Sequence, residues 1–309
     1  MRVDTELKAR QSTLDYKPMR NIKERAIEAL LFLAALVSVG ATVGIIVILL
    51  TESAKFFSHV TLWRFVTDTQ WTPLFDDAQY GIGVLLSGTL VTALVALIVA
   101  IPVGLVIAVY LSEFAGFRTR EIAKPILELL GGIPTVVFGF FALMFVTPLL
   151  QALLPNLPGF NMLSAGLVMG IMIVPYVSSL SEDAMRAVPM HMREGSYGMG
   201  ATRFQTAWRV VIPSAASGIG AAFILAISRA VGETMIVAIA AGGEPNLTLN
   251  PTQPGLTVAS YIVQVAMGDL PRDSVGYQTI FAAGLALFVV TFLFNLLGAY
   301  LRRKYREVY

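Results

Sequence analysis

"SEDAMRAVPMHMREGSYGMGATRFQTAWRVVIPSAASG" (residues 181–218) is a polar stretch held between two strongly apolar runs. It is too long for a turn, yet it keeps helical apolar spacing. Met199, Phe204, Trp208 and Val211 can share one face, and Gly195, Gly198 and Gly200 punctuate it. The pattern predicts a short helix–turn–helix closed by Pro213, either a knob that docks a partner or an amphipathic linker lying on a membrane surface.

The flanking sequence says what this element is attached to. Hydrophobic residues make up 56% of the 309 positions and charged residues only 14%, and the mean hydropathy is +0.73. A soluble domain of this length could not bury so much apolar surface, so the chain reads as an integral membrane protein. Crossing the hydrocarbon core takes roughly 20 apolar residues in a helix. Runs at 26–50, 81–112, 125–154, 162–181, 215–242 and 279–301 meet that need. The expected fold is therefore all-α, a polytopic bundle of six transmembrane helices. Its parts are an N-terminal arm (1–25), a six-span domain (26–301) and a short tail (302–309). The first run is too long, and its basic preface too extended, for a cleaved signal peptide. Pro102, Pro134, Pro148 and Pro175 fall inside spans two to four and predict kinks. "EPNLTLNPTQPG" (244–255), in the second of two longer loops (51–80 and 243–277), reads as irregular surface structure.

Charge fixes the expected orientation. Arg2, Lys8, Arg10, Lys17, Arg20, Lys23 and Arg25 precede the first span, and Arg118, Arg120 and Lys124 follow the second. Arg186, Arg193, Arg203 and Arg209 lie between spans four and five, and Arg302, Arg303, Lys304 and Arg306 close the chain. The alternate loops hold Lys55, Arg64 and Arg272 alone. This positive-inside pattern places both termini in the cytoplasm. Cysteine is absent and the two histidines, His59 and His191, are far apart, so thiol chemistry is excluded and no metal site is expected.

One basic residue remains, Arg229, inside the fifth run in "SRAVGETMIV" (228–237). With Glu233 it has i,i+4 spacing, which in an unbroken helix puts both on one face about 6 Å apart along the axis. Each charge at mid-membrane costs about 2.5–3.5 kcal/mol on insertion scales. Two readings follow. The residues form a self-neutralising ion pair that joins helices, or Arg229 offers its guanidinium fork to an oxyanion while Glu233 limits how tightly the anion is held. Glu128, at the basic-side end of the third run, either supports a helix terminus or belongs to the anion path. Thr135, Ser228 and Thr234 can donate hydroxyls to an anion or serve helix packing. Glu113 is expected at the interface, and Met185, Met190, Met192 and Met199 as adaptable contact surface.

"EGSYGMGATRFQTAWRVVIP" (194–213) resembles the EAA loop of ATP-binding-cassette (ABC) importer permeases. That pattern is Glu-Ala-Ala, three residues, Gly, nine residues, Ile, one residue, Leu-Pro. Glu194, Gly195 and Ser196 take the first places, Gly200 is the spaced glycine, Val210 stands for Ile, and Ile212-Pro213 stands for Leu-Pro. The resemblance implies a MetI-like permease fold in which the 182–214 loop is a coupling helix seated in a separate ATPase subunit. Glu194, Gly195, Ser196, Gly200 and Pro213 would carry that coupling. No "GK" dipeptide and hence no P-loop occurs, so ATP and Mg would be bound by the partner, with no cofactor in this chain.

"SRAVGETMIVAIAAG" (228–242) is similar to the "RALGETMAV" signature of phosphate importer permeases of the PstC type. The likeness extends through "YGIGVLLSGTLVTALVALIVAIPVGLVIAVYLSEFA" (80–115) and "PILELLGGIPTVVFGF" (125–140), and covers nearly all of 80–240. It implies a non-catalytic, multi-pass subunit of the bacterial inner membrane that passes inorganic phosphate. The implied partners are a PstA-like permease, two PstB-like ATPases, a PstS-like extracytoplasmic binding protein and membrane lipid, with no nucleic acid. Arg229, Glu233, Glu128, Thr234 and Thr135 would line the path, and outer-loop residues such as Trp63 and Trp71 would meet the binding protein. Alternatives are a permease for molybdate or sulfate, a stand-alone anion carrier or channel gated by 181–214, and a signalling scaffold.

Overall fold

The computed structural model describes residues 18–304 except Leu74 and Asp76, with side chains described from 24 to 300. Arg2, Lys8, Arg10, Lys17 and Arg306, and the side chains of Arg20, Lys23, Arg302, Arg303 and Lys304, lie outside this range, as do most of the arm and the tail. Helix α1 is Pro18–His59, and α2 is the short Leu62–Thr67. The spans that follow are α3 (Ile82–Phe114), α5 (Thr135–Leu153), α6 (Met162–Arg186) and α12 (Val275–Lys304). Between them lie α4 (Phe117–Gly131), α7 (Met190–Gly198) and α8 (Arg203–Ser214). Helices α9 (Ala216–Val231), α10 (Met235–Ala240) and α11 (Val258–Ala266) complete the order. Among the described residues five helices are long and apolar enough to cross a membrane, or six if α8 and α9, a pair bent by 71°, count as one span. Residues up to Thr51 and residues from Glu52 onward form two separate units.

Within the second unit the spans meet through small residues. Lipid is as apolar as a side chain, so helices gain by approaching closely enough to multiply dispersion contacts. Gly166 and Gly170, one turn apart on α6, sit against the Thr92 and Ala96 carbonyls and the Val95 and Val99 side chains of α3. A Cβ at Gly170 would lie 2.8 Å from the Ala96 carbonyl oxygen, so only glycine permits this spacing. Gly139 of α5 similarly faces Ile239 and the Met235 carbonyl of α10. Val91, Ala96, Ala100, Phe138, Met169, Ile173, Val177, Ala230 and Ile236 form the buried core where these helices converge.

The structure revises several expectations. The third run is two elements. Residues 117–131 form α4, an amphipathic helix with no buried residue, and the span begins after a break at Gly132–Pro134. The fifth run is also broken. Helix α9 ends at Val231 and α10 starts at Met235. Pro102 and Pro175 do not interrupt their helices. Pro148 and Pro213 each follow a π-helical turn (Ala142–Val146 and Ala207–Val211), whose wider hydrogen bonding absorbs the amide that proline lacks. Residues 244–255 are irregular, as expected, and the loop then forms α11, whose Val258, Tyr261 and Val265 pack into a second cluster with Phe56, Phe65, Trp71 and Tyr80. The Tyr261 hydroxyl lies 2.5 Å from Thr279 Oγ1 of α12.

Candidate functional site

The two breaks place polar groups inside an apolar bundle. Glu233 stands in the gap between α9 and α10 and is 8% exposed. Its Oε1 accepts hydrogen bonds from the Met235 and Ile236 amides, at 3.2 and 3.4 Å. A carboxylate there satisfies the free N–H groups of the new helix and is favoured by its dipole. The Glu233 side chain thus caps α10 from the position before its N-cap residue, Thr234. It does not share a helical face with Arg229, because Gly232 and Thr234 interrupt the helix. Among the described residues no ion pair joins the two.

Arg229, in the last turn of α9, has a neutral neighbour instead. Its guanidinium carbon lies 4.7 Å from the ring centroid of Tyr176 on α6, and its Nε is buried without a hydrogen-bond partner. The Tyr176 hydroxyl donates to the Gly131 carbonyl, 3.2 Å away, at the end of α4. One tyrosine therefore ties Arg229 to the break that opens the third span. A π face attracts the cation without neutralising it and leaves the in-plane N–H fork available to an oxyanion. Nothing in the sequence singled out Tyr176; the only cue was an aromatic beside Pro175 in an apolar helix.

Thr135 begins α5, and Gly139 one turn further on packs against α10, so Thr135 and Thr234 belong to the starts of two packed helices. Thr234 donates to the Gly232 carbonyl at 3.3 Å. Among the described residues no hydrogen bond or ion pair joins Glu128 to this group. It is exposed on α4 rather than at the start of a span.

The 181–218 element is the expected helix–turn–helix. Helix α7 ends in a turn where the Gly200 and Ala201 amides return to the Tyr197 and Ser196 carbonyls. Gly200 has φ +84°, which favours glycine. Thr202 then starts α8 with a capping box that includes Gln205. Ser196 and Thr206 are 2.8 Å apart through their hydroxyl oxygens and hold the two helices together. Glu194, Gly195, Tyr197, Met199 and Phe204 are exposed, and Phe204 stacks on the equally exposed Trp208. Val211 is fully buried and leaves the apolar face expected for it. Pro213 sits at the 71° bend into α9.

Two ion-pair groups at this end of the bundle were not legible from sequence. Glu182 of α6 is fully buried and meets Arg120 at 2.5 Å and Lys124 at 3.0 Å, both from α4. Lys124 also reaches Asp183 at 2.7 Å. Burial pulls the Lys124 pKa down, but the hydrogen bonds and charges of Asp183 and Glu182 outweigh it and the pKa is raised. Arg193 of α7 and Glu113 of α3 form the other group. On the opposite face Trp63 is exposed, whereas Trp71 is 2% exposed. Its ring lies against Tyr261 and Phe65, so it supports that surface from below and does not line it.

A family model described as "binding-protein-dependent transport system inner membrane component" matches residues 100–307. The probable ABC transporter permease protein YqgH of Bacillus subtilis is 34% identical over 274 residues, 87% of this chain and 88% of that protein. The phosphate transport system permease protein PstC of Xylella fastidiosa is 32% identical over 248 residues, covering 74% of this chain and 75% of that protein. In fold, the chain is similar to a bacterial ABC transporter involved in the import of the acidic polysaccharide alginate, with a TM-score of 0.63 at 15% identity over 94% of this chain and 99% of the other. The chain belongs to the binding-protein-dependent transport system inner membrane component family. It is an ABC importer permease with the MetI-like fold, an inner-membrane protein whose family works with ATPase and substrate-binding partners.

Proposed function

We propose that this chain is the PstC-type subunit of an ATP-driven inorganic phosphate importer. It pairs with a PstA-like permease, two PstB-like ATPases and a PstS-like binding protein, and carries out no catalysis itself. Its basic face and both termini lie in the cytoplasm, where the α7–α8 element seats in an ATPase subunit through exposed Glu194 and its neighbours. Closure of the ATPases then switches the spans between inward- and outward-facing states.

The observation that carries the phosphate reading is Arg229, an intramembrane guanidinium held by a tyrosine face with no carboxylate partner among the described residues. A structural ion pair would have spent its charge on Glu233; an anion contact needs that charge unspent. Phosphate transport permeases among the relatives support the choice of anion. Thr135 would add a hydroxyl donor where α5 begins, and Thr234 would do so by turning its hydroxyl from the Gly232 carbonyl.

The test is phosphate uptake by the reconstituted complex carrying Arg229→Gln, with ATPase assembly measured in parallel. Loss of uptake with normal assembly supports the reading; uptake like that of the wild type contradicts it. Glu194→Lys is expected to weaken ATPase association while the spans still insert, and preserved association with coupled transport would contradict the docking role.

A further inference from the structure

Helix α7 carries Glu194 and its neighbours, proposed above to meet the ATPase, yet only one of its nine residues is buried, and that residue is Arg193. Its Nη2 donates to Glu113 Oε1 at 2.9 Å and its Nε to Glu113 Oε2 at 3.3 Å. The same guanidinium donates to the Val188 carbonyl at 2.6 Å and to the Met185 carbonyl at 2.9 Å. Glu113 is 4% exposed at its side chain, lies in the π-helical turn that ends α3, and is fixed by a hydrogen bond from Ser112. Met185 and Val188 belong to the end of α6 and the turn beyond it. One side chain thus reaches the ends of two spans from the helix that receives the push.

We propose that Arg193 is the positioning residue that makes α7 move as one body with the basic ends of α3 and α6. The inference rests on the ATP-driven reading above and names the joint through which it works. Apolar packing alone does not supply this joint. The buried cluster beneath draws on Ala108, Met185, Val188, Val211, Ala215 and Ile219, and from α7 it receives only the partly buried Met192. A guanidinium fork on a carboxylate has one geometry, whereas a methionine contact tolerates sliding. An open cavity of about 600 Å³, lined also by Arg186, Tyr197 and Arg203, lies beside the pair. If the fork is cut, water can reach the freed Glu113, so a variant can still fold.

The experiment uses the complete complex in lipid nanodiscs and liposomes. The sequence holds no cysteine, so spin labels at exposed positions 191 and 117 (H191C, F117C) report the distance from α7 to the segment just after α3. With Arg193 intact, the distance distribution is expected to be narrow and unchanged by ATP. With Arg193→Gln it is expected to broaden at least twofold. Phosphate moved per ATP hydrolysed is expected to fall about tenfold, while the amount of bound ATPase stays the same. Glu113→Gln should reproduce both effects, and Arg193→Lys, which keeps the charge but not the fork, should fall between.

An unchanged distribution and an unchanged transport ratio in Arg193→Gln would overturn the proposal. So would loss of ATPase binding, which would make Arg193 part of the docking surface. A wild-type complex that takes up phosphate without ATP would overturn the importer reading alone, because the spin-label distances test the joint independently.

Discussion

Replacing Tyr176 separates the two jobs that this side chain performs. Its ring faces the Arg229 guanidinium at 4.7 Å, and its hydroxyl donates to the Gly131 carbonyl at 3.2 Å. Cation–π contacts span about 0.5–1 kcal/mol at exposed sites and about 2 when desolvated. Arg229 is half-buried with its Nε out of water, so we take about 1 kcal/mol for the order that the ring imposes on the cation. If Arg229 meets the anion in the slow step of passage, losing that order slows the step about fivefold. Tyr176→Leu removes ring and hydroxyl together, whereas Tyr176→Phe removes the hydroxyl alone. The assay is uptake into proteoliposomes at saturating loaded binding protein, which takes substrate capture out of the rate. Tyr176→Leu should run about fivefold slower and Tyr176→Phe within about twofold of wild type. Equal damage from both would assign the effect to the Gly131 hydrogen bond, and no effect from Leu would refute the role of the ring.

Glu233→Ala should destabilise the solubilised protein by about 0.5–2 kcal/mol, the usual value of a helix cap. Glu233→Gln keeps an accepting oxygen and should melt close to wild type, and equal melting of Ala and wild type would remove the capping role. Gly170→Val forces a side chain into a site where even a Cβ lies 2.8 Å from the Ala96 carbonyl oxygen. Overpacking of that kind costs about 1–3 kcal/mol, readable as a lowered unfolding midpoint, and a Val variant that melts like wild type would contradict the close approach of α3 and α6. Lys124 has a raised pKa in the folded protein. Its contribution is therefore fully present below the unfolded lysine value of about 10.4 and lost as pH rises through the higher folded value. Lys124→Met should erase that alkaline component of the stability curve, and a curve unchanged by the substitution would contradict the assignment.

The sequence made the spans legible because mean hydropathy over 20 residues survives local detail. It made the α7–α8 element legible because the spacing of Glu194, Gly200 and Pro213 reflects one helix, one left-handed turn and one bend. The breaks were harder. Gly232-Glu233-Thr234 sits in unbroken apolar surroundings, so the i,i+4 rule was applied across a gap where it does not hold. The signal available was two poor helix formers flanking a capping carboxylate. Helix α4 was absorbed into the third run because Pro125 and the apolar residues after it looked continuous. The charges Arg120, Lys124 and Glu128 at helical spacing, followed by Gly131-Gly132-Ile133-Pro134, could have separated it. Arg193 and Glu113, or Lys124 and Glu182, are brought together by the way the spans pack, and no local pattern encodes a partner that distant.

On the function proposed above, this permease moves inorganic phosphate at the expense of ATP. The most direct measurement is radiolabelled phosphate uptake by the complete complex in proteoliposomes, with and without ATP, against excess molybdate or sulfate. Uptake is expected to require ATP and the binding protein and to persist when the competing oxyanion is present. Uptake that survives ATP depletion, or that molybdate or sulfate abolishes, would contradict it.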